Sequence, residues 1–223
     1  VRSGGVTFVV DTGHTETFAS PTAGLITATG AADRPIIFQK SGAGTNPVIT
    51  AGAGTGDYDG IIVLNGSDYI TFDGINVKEN VSNNNSNTKM EFGYGILKAS
   101  ATNAPKHVTI KNCVIELNKN NNNTKGIGVC NHTPYSGVQL TINDSTGRTE
   151  DITLLNNSIS NASKGIETYG SSNTSYYNLR TIIAGNTITD FKWNGITTQY
   201  ENTLQIRGNT VKNTVSNYGE LIG

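Results

Sequence analysis

The segments Thr181-Ile-Ile-Ala-Gly-Asn186-Thr-Ile188 and Leu204-Gln-Ile-Arg-Gly-Asn209-Thr-Val211 are two copies of one pattern. Three earlier segments share it: Ile70-Thr-Phe-Asp-Gly-Ile75-Asn-Val77, Val108-Thr-Ile-Lys-Asn-Cys113-Val-Ile115 and Ile152-Thr-Leu-Leu-Asn-Asn157-Ser-Ile159. An apolar residue (Thr181 in one copy) stands first and another third, which turns two side chains to one face of a short strand. The fifth residue is Gly74, Asn112, Asn156, Gly185 or Gly208. Gly and Asn are the residues that most readily take φ > 0, so this position predicts a sharp bend. The sixth position brings Asn157, Asn186 and Asn209 into line. Their side-chain amides are expected to stack, each bonding backbone or its neighbour on the next coil. The eighth is always Ile or Val and opens the next inward face.

A second signature separates the copies: Gly95-Ile96, Gly126-Ile127, Gly165-Ile166 and Gly195-Ile196, with Gly60-Ile61 ahead of the first. Together these predict an all-β chain folded as a right-handed parallel β-helix of about six to seven coils with external loops. Stacked hairpins would need two-residue turns such as Asn-Gly, and only Asn65-Gly66 and Asn194-Gly195 supply them. Earlier strands are read at 6–10, 25–27, 35–38 and 47–50. Extra residues at 80–92, 118–125, 138–150 and 171–178 are read as protruding loops, and the tracts Asn83 to Asn85 and Asn120 to Asn123 as polar spacers. Residues 1–223 read as a single β-helix domain. Gly219-Glu-Leu-Ile-Gly223 reads as the start of a further coil, and the whole as a fragment of a longer chain.

Composition agrees. With 26 Gly and 28 Asn, the chain disfavours helices and favours short strands between turns. Charged residues make up 15% and the net charge is -1, which argues against a nucleic-acid partner. No apolar run is long enough for a membrane span. Cys113 and Cys130 are too few for a disulfide framework and read as small buried hydrophobes.

Pro35-Ile-Ile-Phe-Gln-Lys-Ser-Gly-Ala-Gly-Thr-Asn-Pro47, Gly60-Ile61 and Asp68-Tyr-Ile-Thr-Phe-Asp-Gly74 resemble stretches of large secreted Bacteroidetes proteins. Met90-Glu-Phe-Gly-Tyr-Gly95 and Lys98-Ala-Ser100 add to the likeness. These are pectin-lyase-like, right-handed parallel β-helix repeat proteins, typically exported by type IX secretion. The resemblance covers most of the chain, from Gly5 to Asn213. It implies the fold, an extracellular or outer-surface location and further domains of the same parent chain. It implies little about activity, because this fold hosts lyases, hydrolases, adhesins and stalks alike.

No catalytic set emerges from the sequence. The Asn-Thr-Asp, paired-Asp, Gly-His-Gly and Arg-Ile-Lys motifs that a resemblance to polygalacturonases would require are missing. Glu167 has Gly128 and Thr197 at its place in adjacent coils, so no second carboxylate faces it, and it is expected in solvent. Asp57 and Asp59 form the one close acidic pair and are the weak candidates for a Ca²⁺ site. Arg180 and Arg207 have no acidic pair nearby in sequence. His14, His107 and His132 lie apart and are expected at the surface. Tyr169, Trp193 and Tyr200, near the ends of adjacent strands, are candidates for stacking on sugar rings, with Tyr176 and Tyr177 in the loop between. A flat Thr ladder for ice or mineral binding is not expected, since Thr197 and Thr198 face Ala99-Ser100 and Val129-Cys130. The sequence therefore points to a non-catalytic scaffold or adhesin contacting polysaccharide. The alternative is a polysaccharide lyase or glycoside hydrolase with an unrecognised acidic site.

Overall fold

The computed structural model describes residues 4–85, 87–213 and 220–222. It is a right-handed parallel β-helix of three sheets, and every strand pairing in it is parallel. Sheet A runs from Val6–Val10 through Ile36–Lys40, Ile70–Asp73, Lys106–Lys111, Glu150–Leu155 and Ile182–Ala184 to Gln205–Arg207. Sheet B stacks seven three-residue strands, from Thr15–Thr17 to Thr210–Lys212. Sheet C stacks Leu25–Ile26, Gly60–Asn65, Phe92–Leu97, Lys125–Cys130, Lys164–Tyr169, Asn194–Gln199 and Glu220–Ile222. That last strand continues the stack where a further coil is expected; Gly219 and Gly223 lie outside the described residues. Among the described residues no helix is long and apolar enough to cross a membrane.

The bend between sheets A and B falls on the fifth repeat position. Gly74, Asn112, Asn156, Gly185 and Gly208 all have φ between 54° and 70°. Just inside it, Asn157 Nδ2 donates to Asn186 Oδ1, and Asn186 Nδ2 to Asn209 Oδ1, both at 3.0 Å. Each of the three also donates to a main-chain carbonyl, of Ile110, Leu154 or Ile183, at 2.9–3.0 Å. The ladder thus ties adjacent coils by side chain and backbone at once.

The interior is packed with Ile, Val and Leu from all three sheets, and Cys113 lies among them. Phe8, Phe38 and Phe72 stack face to face with centroids 4.7–4.8 Å apart. Cys113 and Cys130 are both buried and unpaired.

Register alters two sequence readings. Ile127 pairs with Tyr94 and Gly128 with Gly95, so Gly126 aligns with Gly93 rather than with Gly95. Gly60 pairs with Phe92, which puts Ile61, not Gly60, in that column. The glycine is needed for clearance. A Cβ on Gly126 would lie 2.6 Å from the Gly165 carbonyl oxygen and 2.3 Å from Ile159 Cγ2. Ladders of hydroxyl residues do exist, on sheets A and B rather than on sheet C. Thr71, Thr109 and Thr153 stand in register on sheet A, and Ser158, Thr187 and Thr210 on sheet B.

Candidate functional site

Three rows of side chains stand on the outer face of sheet C, the last two linked by strand alternation and the first set off by the inward-facing glycine column of Gly93 and Gly126. Phe92, Lys125, Lys164 and Asn194 form one row; Gly95, Gly128, Glu167 and Thr197 the next; Leu97, Cys130, Tyr169 and Gln199 the third. Residues 131–149, read from sequence in part as a protruding loop, fold back as a strap beside this face. Asn131 and Leu140 clamp its two limbs through Leu140 N to Asn131 O (2.9 Å) and Asn131 Nδ2 to Leu140 O (2.8 Å). Farther along, the buried Lys98 ammonium donates to Gly147 O and Thr149 Oγ1. Val63, Phe92, Leu97 and Cys130, with Leu25 and Tyr58, form a second apolar cluster outside the helix. The strap's Gly137 packs against the Tyr58 ring.

Two residues expected in solvent are buried here. Glu167 is 7% exposed, accepts a hydrogen bond from Lys164 and forms an ion pair with Lys125 at 3.5 Å. Lys125 also stands 4.8 Å above the Phe92 ring and 5.8 Å from that of Tyr58. His132 is 3% exposed, edge-on to Tyr58 at 5.1 Å, with Nδ1 2.9 Å from Thr133 O. Burial holds its imidazole below the ordinary histidine pKa and favours the neutral ring. Sequence spacing does not show this, because Lys125 beside Glu167 and Tyr58 beside His132 come from other coils.

The aromatic candidates divide. Tyr169 and Tyr200 meet edge to face at 5.4 Å, and Tyr177 joins them 5.5 Å from Tyr200. Trp193 is 39% exposed beneath Lys192, before the six-residue strand Asn194–Gln199. At about 3.3 Å per residue that strand holds it roughly 20 Å from the tyrosines. Beside Tyr169 opens a cleft of about 150 Å³ between the strap and residues 169–173, lined in part by Asn131, Leu140, Ile142 and Ser171.

Asp57 and Asp59 lie in different environments. Tyr58 between them has φ 64°, Asp57 is exposed and Asp59 is fully buried. Asp59 instead faces Glu91 on the next coil: its Oδ2 accepts from Thr55 N at 2.8 Å, and its own N–H donates to Glu91 Oε2 at 3.3 Å. Burial raises the pKa of both, Glu91 to about 8. Asp59 Oδ1 is buried with no hydrogen-bond partner among the described residues. The asparagine tracts are more than spacers. Asn83 donates to Glu79 and Asn121 to Glu91, both at 2.7 Å. Among the described residues no three His, Cys, Asp or Glu gather as a metal site. Arg180 has acidic partners after all, forking onto Asp151 at 2.5 and 2.7 Å and reaching Glu150 at 3.0 Å.

A parallel β-helix with a strapped outer face defines a class of fold rather than an activity. No protein-family model matches the sequence, and neither does any curated protein. Among solved structures the chain is similar to the alginate lyase of Paenibacillus sp. str. FPU-7, with a TM-score of 0.62 and 14% identity. The match covers 91% of this chain and 58% of that enzyme, so the chain spans little more than half its length. At this identity the likeness shows the fold alone. The A-module of the Azotobacter vinelandii mannuronan C-5 epimerase AlgE4 matches over 99% of this chain and 91% of its own, at 14% identity and a TM-score of 0.28. That score carries no weight.

Proposed function

We propose that this chain is a non-catalytic, polysaccharide-contacting β-helix segment of an exported bacterial surface protein, with the outer face of sheet C as the contact. One observation supports it above the rest: Tyr169, which lines the cleft beside the strap, meets Tyr200, and Tyr200 meets Tyr177, so that three rings from separate places in the sequence form one cluster. Rings with an apolar face and a polar rim suit sugars, which are themselves apolar on one face and hydroxylated at the edge.

A lyase or hydrolase reading draws on the buried Lys125–Glu167–Lys164 group on the same face and on a fold similar to that of an alginate lyase. A glycan array that includes alginate, followed by assays for reducing ends and unsaturated uronate, separates the two. The binding reading expects retention without product, and about tenfold or greater loss of affinity in Tyr169→Ala/Tyr200→Ala, or some 1.4 kcal/mol. Product formation that Glu167→Gln abolishes would establish the enzyme instead.

A further inference from the structure

The first coil carries a charge where every later coil is apolar. On sheet B one column runs Glu16, Ile49, Val77, Ile115, Ile159, Ile188 and Val211, each in register with the next. The apolar members all lie in the core or pack against it. Glu16 holds the same inward place in the strand Thr15–Thr17, because Thr15 and Thr17 alternate to the outer face. Its side chain is 57% exposed, and its ion pair is with His14, at 4.0 Å.

In every other respect this end is shaped to receive a further coil. All three sheets stop there on a strand with one neighbour: Val6–Val10, Thr15–Thr17 and Leu25–Ile26. Each therefore offers a row of unpaired backbone N–H and C=O groups. The strand Val6–Val10 contains neither Lys nor Pro, and Phe8 is 48% and Val9 57% exposed. A hollow of about 370 Å³ opens into the core between Phe8, Phe18, Phe38, Ile49 and Phe72, with Glu16 and His14 among its walls. A bare apolar edge pairs readily with a matching strand, and a charge pointing inward is one device that prevents it.

The opposite end of the same molecule supplies the matching strands. Ile206 stands in the column that Phe8 begins, and Val211 in the column that Glu16 begins. Both are partly buried hydrophobics packed against the core. A second copy stacked head to tail in register sets Ile206 against Phe8 and Thr210 against Thr15, continuing the contact that each coil already makes with the next. Val211 against Glu16 is the mismatch. It would bury an ionised carboxylate on an apolar side chain, which is heavily penalised without a cationic partner. Lys212, the incoming cation next to Val211, stands in the outward row with Thr189 and lies on the other face of the sheet. We propose that the Glu16 end of the solenoid is a docking face for the Val211 end of a second copy, and that the Glu16 carboxylate holds it closed.

Sedimentation velocity and electron microscopy of the whole chain and of Glu16→Val test this. The native chain is expected to stay monomeric. Glu16→Val should associate at least about tenfold more tightly and form rods one solenoid wide. Glu16→Lys, which keeps a charge at the end of the column, should stay monomeric like the native chain. Circular dichroism checks that both variants fold, as an exposed side chain on the end strand allows. Native chain added to Glu16→Val should shorten the rods, since its Val211 end docks while its own Glu16 end stops growth. A monomeric Glu16→Val overturns the proposal, as do rods formed equally well by the native chain or by Glu16→Lys. Rods that the native chain leaves at full length overturn it too, because the copies would then not be joined head to tail.

Discussion

Glu91 stands one residue before the strand Phe92–Leu97, its carboxylate turned toward the N–H of Asp59 on the preceding coil. Burial raises its pKa to about 8 from 4.5, against the hydrogen bond from Asn121. The folded form therefore holds a proton that the unfolded chain releases near pH 4.5. Its contribution is complete below that pH and is lost as the pH rises through about 8, above which the slope ends. Asp57, Asp59 and Glu79 all add negative charge to the neighbourhood. Denaturant unfolding across this window is expected to show a fall for the native chain that Glu91→Gln removes, by at most about 1.4 kcal/mol per pH unit. An identical slope in the variant would mean that the proton sits elsewhere. None of this was legible in the sequence, where Asp59 and Glu91 are separated by a whole coil. The Asn157–Asn186–Asn209 ladder could be read because one residue type recurs at one repeat position. The second column of left-handed residues, Tyr69, His107, Asp151, Arg180 and Thr203, has φ of 53–60°. It was not legible, since Tyr69, Arg180 and Thr203 rarely take that conformation, and His107 and Asp151, whose residue types do favour it, are too few to mark a column.

Elements that repeat were readable, and the one that does not repeat was missed. The strap carries polar residues and no period, so nothing in it announces that it covers a strand face. Its fastening is Lys98, whose ammonium is lowered to about 7 from 10.5 by burial and then by the charge of Lys106. The sign is opposite to that of Glu91. Between pH 7 and 10.5 the unfolded chain binds the extra proton, so this contribution is full above 10.5 and is lost as the pH falls through about 7. Lys98→Met should flatten that alkaline rise. It should also expose residues 131–149 to limited proteolysis while circular dichroism still reports an intact helix. Proteolysis unchanged from the native chain would show that the strap is held without Lys98. The Gly-Ile signature was right in kind and wrong in register for two of its copies, because a glycine one or two residues out of line looks the same in sequence as one in its column.

At the scale of the whole molecule, periodicity decided the architecture, since each coil must place its apolar residues over those of the next to bury them. Function follows no such rule. Loops from distant segments meet only after the coils stack, which is how Tyr169 and Tyr200 come into contact while Trp193, close by in sequence, is left about 20 Å away. Sheets A and B remain open, hydroxyl-rich faces that could compete with sheet C for a ligand. Amide chemical-shift mapping of the whole chain against a glycan retained on the array measures which face is used. Shifts are expected to gather at residues 131, 139–142, 169–173 and 197–200. Shifts confined to the threonine rows of sheets A and B, or the absence of any, would contradict the assignment of sheet C as the glycan-contacting face.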